Sequence, residues 1–201
     1  MARLQLNKSA LANEAKSLGT YRRFLPSLDL KRQQLLAERN KAKKIVKQTR
    51  NRIDELVLEV SDALPMLANE DINLSGIVRL REANFGTENL VGTRLPVLSG
   101  IELDVKPYSL MALPHWVDNV VEMLKEMLEL KTLLKVNERR LSLLDAAVKT
   151  IAQRVNLFDK VLIPQTEANI KRIKIYLSDE QMASVVRSKI AKRKRQDGGR
   201  T

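Results

Sequence analysis

Hydrophobic residues recur at seven-residue intervals through the first third of this chain, from about residue 3 to residue 67. A second apolar position follows three residues after most members of the series, and this spacing is typical of helices that pair in a coiled coil. The first series is Leu4, Leu11, Leu18, Leu25, Arg32, Arg39, Val46, Ile53, Val60 and Leu67, and the companions include Tyr21, Leu28, Leu35, Ala42, Thr49, Leu56 and Ala63. The pattern predicts one long helix. Pro26 lies within it, and because proline removes a backbone donor we expect a kink or a short break there.

The last part of the chain carries a longer heptad series that starts after Pro114, a residue suited to the first turn of a helix. Its members are Val120, Met123, Met127, Leu130, Leu134, Asn137, Leu141, Leu144, Val148, Ile151, Val155, Phe158 and Leu162. After Pro164 the apolar positions move by one residue, to Ile163, Thr166, Ile170, Ile173 and Leu177. Pro164 therefore predicts a register change between two segments of one helix, which at 1.5 Å per residue would be ~120 Å long from residue 114 to about 194.

The middle of the chain, about residues 68–112, has a different character. It holds four of the seven glycines and short runs in which apolar and polar residues alternate. This composition favours short strands, and we place their turns near residues 85–89 and 99–100. Since one hairpin is marginally stable alone, we expect it to pack on the helices, with Trp116 as a packing anchor.

The sequence thus predicts a mainly α protein: a long antiparallel two-helix coiled coil with a small β-hairpin insert at the hinge end. The expected divisions are a first helix over 1–67, the insert over 68–113, a second helix over 114–195 and a flexible tail over 196–201. Partners across the pair should have residue numbers that add to roughly 180, within about one heptad. Val46 would then face the neighbourhood of Leu134, and the last stretch of the second helix would extend beyond the first.

Composition and charge narrow the function without fixing it. The chain is 44% hydrophobic but only 3% aromatic, and it has no cysteine, which excludes disulfides, thiolate metal sites and cysteine nucleophiles. The N-terminus does not read as a signal peptide and no segment is apolar enough to cross a bilayer, so we expect a soluble intracellular protein. The net charge of +12 is concentrated in residues 31–52 and in the last fifteen residues. It admits nucleic-acid binding, a solvated helix face or a shaft inside an acidic protein sleeve.

No catalytic constellation is visible in the sequence. The phosphate-binding patterns GxxxxGK and GxGxxG are absent. The single histidine, His115, has no serine or carboxylate arranged to use it, and we interpret it as a partly exposed residue at a helix start. Met123 and Met127 fall on the seam and are interpreted as core residues. We therefore expect no enzyme activity, no cofactor and no metal site.

The stretch RVNLFDKVLIPQTEANIKRIKIYLSDEQ, residues 154–181, resembles the signature of the D subunit of the V-type (vacuolar and archaeal-type) rotary ATPases. Leu157, Phe158 and Asp159 depart from that signature, and near the start LDLKRQQL has Gln33 where the family has Asp. The matching residues are Arg154, Val155, Asn156, Ile163, Pro164, Ile170, Ile173 and Leu177, with Lys31, Arg32 and Leu35 in the first helix. Pro26 is a further departure from most members.

The resemblance implies a non-catalytic central rotor shaft that couples ATP hydrolysis or synthesis to H⁺ or Na⁺ transport. It implies contact with the catalytic head of A and B subunits, with the F subunit of the stalk and with a socket-like d/C subunit, in the cytoplasm at the membrane surface. It implies neither direct nucleotide or nucleic-acid binding nor membrane insertion. The basic end that would contact the head is Arg187, Lys189, Lys192, Arg193, Lys194 and Arg195. The rival functions are a nucleic-acid-binding coiled coil and a scaffold coiled coil of another assembly.

Overall fold

The computed structural model describes residues 4–65, 74–108 and 113–197. The chain forms two compact units, one of Met1–Leu30 with Ile151–Thr201 and the other of Lys31–Thr150. The predicted boundaries of the insert near residues 67 and 113 fall at or beside positions 66–73 and 109–112, which lie outside the described residues. The described part is mainly helical with one antiparallel hairpin, as the sequence predicts.

Helix α1 spans Lys8–Ala63. It begins after Asn7, whose side-chain oxygen accepts a hydrogen bond from the Ala10 amide at 2.7 Å and so satisfies one free donor of the first turn. The short break that was one of the two expectations at Pro26 does not occur, since α1 continues through this residue. The other expectation, a kink, stays a prediction. Pro26 is exposed and removes the donor for the carbonyl group of Arg22, while the seam residues Leu25 and Leu28 beside it stay half-buried.

The second helical stretch consists of three consecutive elements: α2 (Trp116–Leu157), a π-helical turn (Phe158–Leu162) and α3 (Ile163–Asp197). In the π turn, the Ile163 amide donates to the Phe158 carbonyl, five residues back. A π turn accommodates one extra residue, which is the change in apolar spacing that the sequence shows before Pro164. The predicted register change is thus confirmed, and its physical form is a π bulge.

The hairpin consists of β1 (Val78–Leu90) and β2 (Thr93–Val105), which pair in antiparallel register around a turn at Val91 and Gly92. The predicted turns near 85–89 and 99–100 are wrong, because both positions lie inside strands. The register shifts beside Asn84, where Ser99 is the extra residue on β2, and again beside Leu80, where Arg81 is extra on β1. Glycine and polar residues at 84–86 and 99–100 therefore mark a β-bulge rather than a turn.

The base of the hairpin packs on the start of α2 within the Lys31–Thr150 unit. Ile77, Val117 and Val121 are buried together, and Trp116 packs against them, as expected for an anchor. The backbone amide of Lys106 donates to the carbonyl of Ile77 at 2.8 Å. Further along β1, Glu88 accepts a hydrogen bond from Arg140 at 2.7 Å, so the hairpin lies along α2.

Side-chain contacts in each unit show the antiparallel pairing. In the first unit Tyr21 contacts Phe158 and Arg22 is paired with Glu167; in the other, Arg50 is paired with Glu138 and Arg52 with Glu126. The residue numbers of paired residues were predicted to add to roughly 180, within one heptad, and the pairs Tyr21–Phe158 and Arg52–Glu126 meet this prediction. The other two pairs exceed that tolerance by one or two residues, because long arginine side chains reach along the partner helix.

Candidate subunit interface

The C-terminal part of α3 has no partner helix among the described residues. Asn169 donates a hydrogen bond to Glu14 at 3.4 Å, close to the beginning of α1. From Ser178 to Gln196 every side chain is exposed. This segment, residues 178–196, is called the overhang below, and it fulfils the prediction that the second helix extends beyond the first.

The overhang combines positive charge with exposed apolar side chains. The six predicted head-contacting residues, Arg187, Lys189, Lys192, Arg193, Lys194 and Arg195, are all exposed, and none forms an ion pair with another residue that the structure describes. Met182, Val185, Val186 and Ile190 are each more than half exposed. Their spacing places them along one side of the helix, where an apolar stripe with basic neighbours suits docking to a partner.

The residues that carry the resemblance divide into two groups by burial. Leu35, Val155 and Ile173 are buried, and Lys31, Arg32, Ile163, Ile170 and Leu177 are half-buried. Arg154, Asn156 and Pro164 are exposed. Burial gives the first group a role in pairing the helices. Packing does not explain the exposed group. One of its members, Pro164, has a backbone role beside the π turn.

The seam is mainly apolar, and polar residues interrupt it at several positions. Thr49 and Thr166 are buried, and each hydroxyl donates to the carbonyl four residues earlier in its own helix, Ile45 and Leu162 respectively. The amide nitrogen of Asn137 is buried and has no hydrogen-bond partner among the described residues. A buried polar group in a seam costs stability but fixes register and orientation.

Charged side chains flank the seam and join the helices. Arg52 is hydrogen-bonded to Glu126 at 2.9 Å and to Glu59 at 3.0 Å, and these bonds, Glu126 first, raise the pKa of the guanidinium above its ordinary value. The Arg22–Glu167 and Arg50–Glu138 pairs are largely exposed, and exposed pairs stabilise a fold by little. Their contribution is mainly to the choice of partner and alignment.

An apolar groove lies between the end of α1 and the start of α2. Its volume is about 300 Å³, and its lining residues are Val57, Val60, Leu64, Leu74, Val120, Met123, Leu124 and Met127. None of these side chains can act as an acid, base or nucleophile. Within residues 4–65, 74–108 and 113–197, no group of three or more His, Asp or Glu side chains is arranged to hold a metal ion. His115 is exposed at the start of α2.

Crossing a bilayer requires a helix that is both long and apolar. Among the helices that the structure describes, none combines these two properties.

Comparison with known proteins decides the family. The family model for the ATP synthase D subunit matches residues 10–193, which includes both helices and the hairpin. The chain belongs to the ATP synthase D-subunit family. The match over 10–193 confirms the resemblance carried by residues 154–181 and by Lys31, Arg32 and Leu35 of the first helix.

Individual members of the D-subunit family resemble the chain over nearly their full length. The V-type ATP synthase D subunit of Borreliella burgdorferi is 34% identical over 192 residues, covering 96% of this chain and 95% of that protein. The protein of the same name from Chlamydia muridarum is 31% identical, with 96% of each chain covered. The one from Chlamydia pneumoniae is 29% identical over 95% of this chain and 92% of that protein.

Sequence patterns alone do not reveal several exposed features of this D-subunit family member. The pairing of Glu88 with Arg140 depends on how the hairpin lies along α2, which no local pattern encodes. The sequence does contain a signal for the apolar stripe of the overhang. Beyond Leu177 the seam positions become polar, while Met182, Val185 and Val186 fall between them. Apolar residues that leave the heptad positions are a signal for a surface that binds something else.

Proposed function

We propose that this protein is the central rotor shaft of a V-type ATP synthase, a non-catalytic subunit that turns inside a head of A and B subunits. The observation that carries the proposal is the overhang, a basic and partly apolar helix end without a partner helix among the described residues. The relatives share the name V-type ATP synthase D subunit. In such a complex, the helix end would have other subunits as partners.

The paired helices suit the transmission of torque. In each unit, ion pairs beside an apolar seam resist slippage of one helix past the other. The π turn before Pro164 changes how the seam winds, and an uneven shaft would hold the catalytic interfaces of the head in different states. Rotation would then couple ATP hydrolysis or synthesis to transport of H⁺ or Na⁺ in the membrane part of the complex.

The basic surface suits a shaft that must turn in its bearing. Lysine and arginine side chains offer long-range, adaptable attraction to carboxylates without locking into one deep pocket. The six basic residues of the overhang would face the head. The hairpin end would meet the F subunit of the stalk and the d/C-type socket, and the protein would lie in the cytoplasm, peripheral to the membrane.

Co-purification tests this proposal. The tagged chain, expressed in its own cells, is expected to bring down A and B subunits with ATPase activity, whereas the chain purified alone should show none. Micromolar nucleotide binding by the isolated chain would contradict the non-catalytic role. Absence of A and B, combined with salt-sensitive binding to duplex nucleic acid, would favour the nucleic-acid-binding alternative.

A further inference from the structure

A second exposed apolar surface lies in the Met1–Leu30 and Ile151–Thr201 unit, far along the helical stretch from the overhang. Phe24, Leu157 and Val161 are exposed to 53%, 47% and 48%. Leu157 and Val161 are four residues apart, and Arg154 precedes Leu157 by three, so the three side chains form a stripe along one side of the helical stretch. Phe24, Arg154, Leu157 and Val161 are called the π-turn patch below.

The ion pairs of the chain show why Phe24 belongs to this surface. Arg22 and Glu167 each follow a seam residue, and they meet across the pair on one side. Within the Lys31–Thr150 unit, Arg50 and Glu138 likewise each follow a seam residue and meet on one side, whereas Arg52 and Glu126 each precede a seam residue and meet on the opposite side. Residues with the same offset from the seam therefore lie on the same side.

Phe24, Arg154 and Val161 each precede a seam residue, so they share the side opposite Arg22 and Glu167. The contact between the rings of Tyr21 and Phe158, with centroids 5.4 Å apart, fixes the level along the pair. Phe24 lies about one helical turn after Tyr21, and Arg154 lies about one turn before Phe158. Because the helices are antiparallel, Phe24 and Arg154 are at the same level along the pair.

Three exposed cations lie in the π-turn patch or next to it in the sequence. Arg23, Arg154 and Lys160 are exposed and form no ion pair with any other residue of the described segments. Two carboxylates of the same stretches, Asp29 and Asp159, each follow a seam residue, which places them on the opposite side of the pair. The patch thus combines three apolar side chains with the unpaired guanidinium of Arg154, and the cations Arg23 and Lys160 are the sequence neighbours of Phe24 and Val161.

We infer that the π-turn patch is a docking surface for a protein helix whose apolar side chains are flanked by carboxylates. The charge complementarity selects an acidic partner, and the apolar side chains provide the anchor at its centre. The π turn supports this assignment because single π bulges occur frequently at functional sites. The same charges attract anionic lipid, but a helix that lies in a membrane interface presents a continuous apolar face, whereas this patch is short and shared between two helices.

The inference rests on the proposed function, since the partner is sought among the other subunits of the assembled ATP synthase. The probe is a photocrosslinking residue, Phe24→p-benzoylphenylalanine, placed in the full chain within the purified complex. The crosslinked peptide is then identified by mass spectrometry. Position 58 is the matched control, because Leu58 is 64% exposed but has acidic neighbours at Glu55, Glu59 and Asp62.

The expected result is a crosslink from position 24, and not from position 58, to a segment of another subunit in which carboxylates flank apolar residues. Arg154→Glu should lower the yield about tenfold, while Lys174→Glu, an exposed charge reversal outside the patch, should leave it unchanged. A crosslink to lipid, to a second copy of this chain or to a segment without carboxylates overturns the inference, as does no crosslink. If the complex does not assemble with A and B subunits even around the unaltered chain, the proposed function itself fails, and that outcome is distinguishable from a failed crosslink.

Discussion

At the scale of single residues, the hairpin turn contains a local conflict. Val91 has a φ of 50° and Gly92 a φ of 83°, and Val91 is the one non-glycine residue with positive φ within the described segments. A β-branched residue is poorly suited to this left-handed region. The turn is held by the side chain of Asn89, whose oxygen accepts a hydrogen bond from the Gly92 amide at 3.0 Å.

Val91→Asn should stabilise the hairpin, because asparagine followed by glycine is the preferred pair for a two-residue turn with positive φ at both positions. The expected gain is about 1 kcal/mol in the free energy of hairpin opening. Hydrogen exchange of the β1 and β2 amides measures it. Gly92→Ala is the opposing control and should speed exchange; faster exchange in Val91→Asn would contradict the strain argument.

A second residue-scale prediction concerns pH. The Tyr108 hydroxyl donates to Asp118 at 2.6 Å, and this hydrogen bond raises the pKa of the phenol above its ordinary value of about 10. The bond's stabilisation is therefore fully present below that ordinary value and is lost as pH rises through the higher folded-state pKa. The difference in unfolding free energy between the unaltered protein and Tyr108→Phe should shrink above pH ~10. If this difference in unfolding free energy stayed constant up to pH ~12, the hydrogen bond between Tyr108 and Asp118 would have no role in stability.

At the scale of elements, the helices could be predicted from sequence because heptad spacing is set locally by side-chain geometry. The same reasoning located the register change beside Pro164, since one extra residue in the apolar series needs one extra residue in a turn. It did not separate a kink from a break at Pro26, where α1 continues although the proline removes one backbone donor. It failed at residues 84–86 and 99–100, because glycine and polar residues signal a bulge and a turn alike.

The pairing register can be tested with engineered cysteines, since the chain has none of its own. The Arg50–Glu138 and Arg52–Glu126 pairs lie on opposite sides of the seam, and between them they place Val46 opposite the neighbourhood of Leu134 and Asn137. With Val46→Cys fixed and a second cysteine scanned over 127–141, oxidation should give the highest disulfide yield between 134 and 138. Disulfides need Cα atoms within about 7 Å. Intermolecular disulfides alone would mean that the helices pair between copies.

At the scale of the whole molecule, the sequence shows the net charge but does not say which partner the charge binds. The count of +12 is evident from composition, yet it fits nucleic acid, solvent and an acidic bearing equally well. The structure adds that the basic residues of the overhang have no ion-pair partners among the described residues. The family match implies a place in a V-type ATP synthase complex, and the head of A and B subunits is the partner that we propose.

Removing residues 187–201 should weaken association with the A and B head. Because the lost contacts are electrostatic, the difference from the full chain should be largest at low ionic strength and shrink as salt screens it. Binding measured against salt concentration checks this. Association that is unchanged at every salt concentration would mean that the basic end is only a solvated surface.

The central claim, that this chain is a turning shaft, is tested most directly by watching it turn. The A and B head is fixed to a surface, and a probe is attached through a cysteine introduced in place of exposed Leu80 on β1. Addition of ATP should drive continuous rotation of the probe in one direction, which stops when ATP is removed. A probe that stays still, while the same tethered complexes hydrolyse ATP, would contradict the rotor-shaft account.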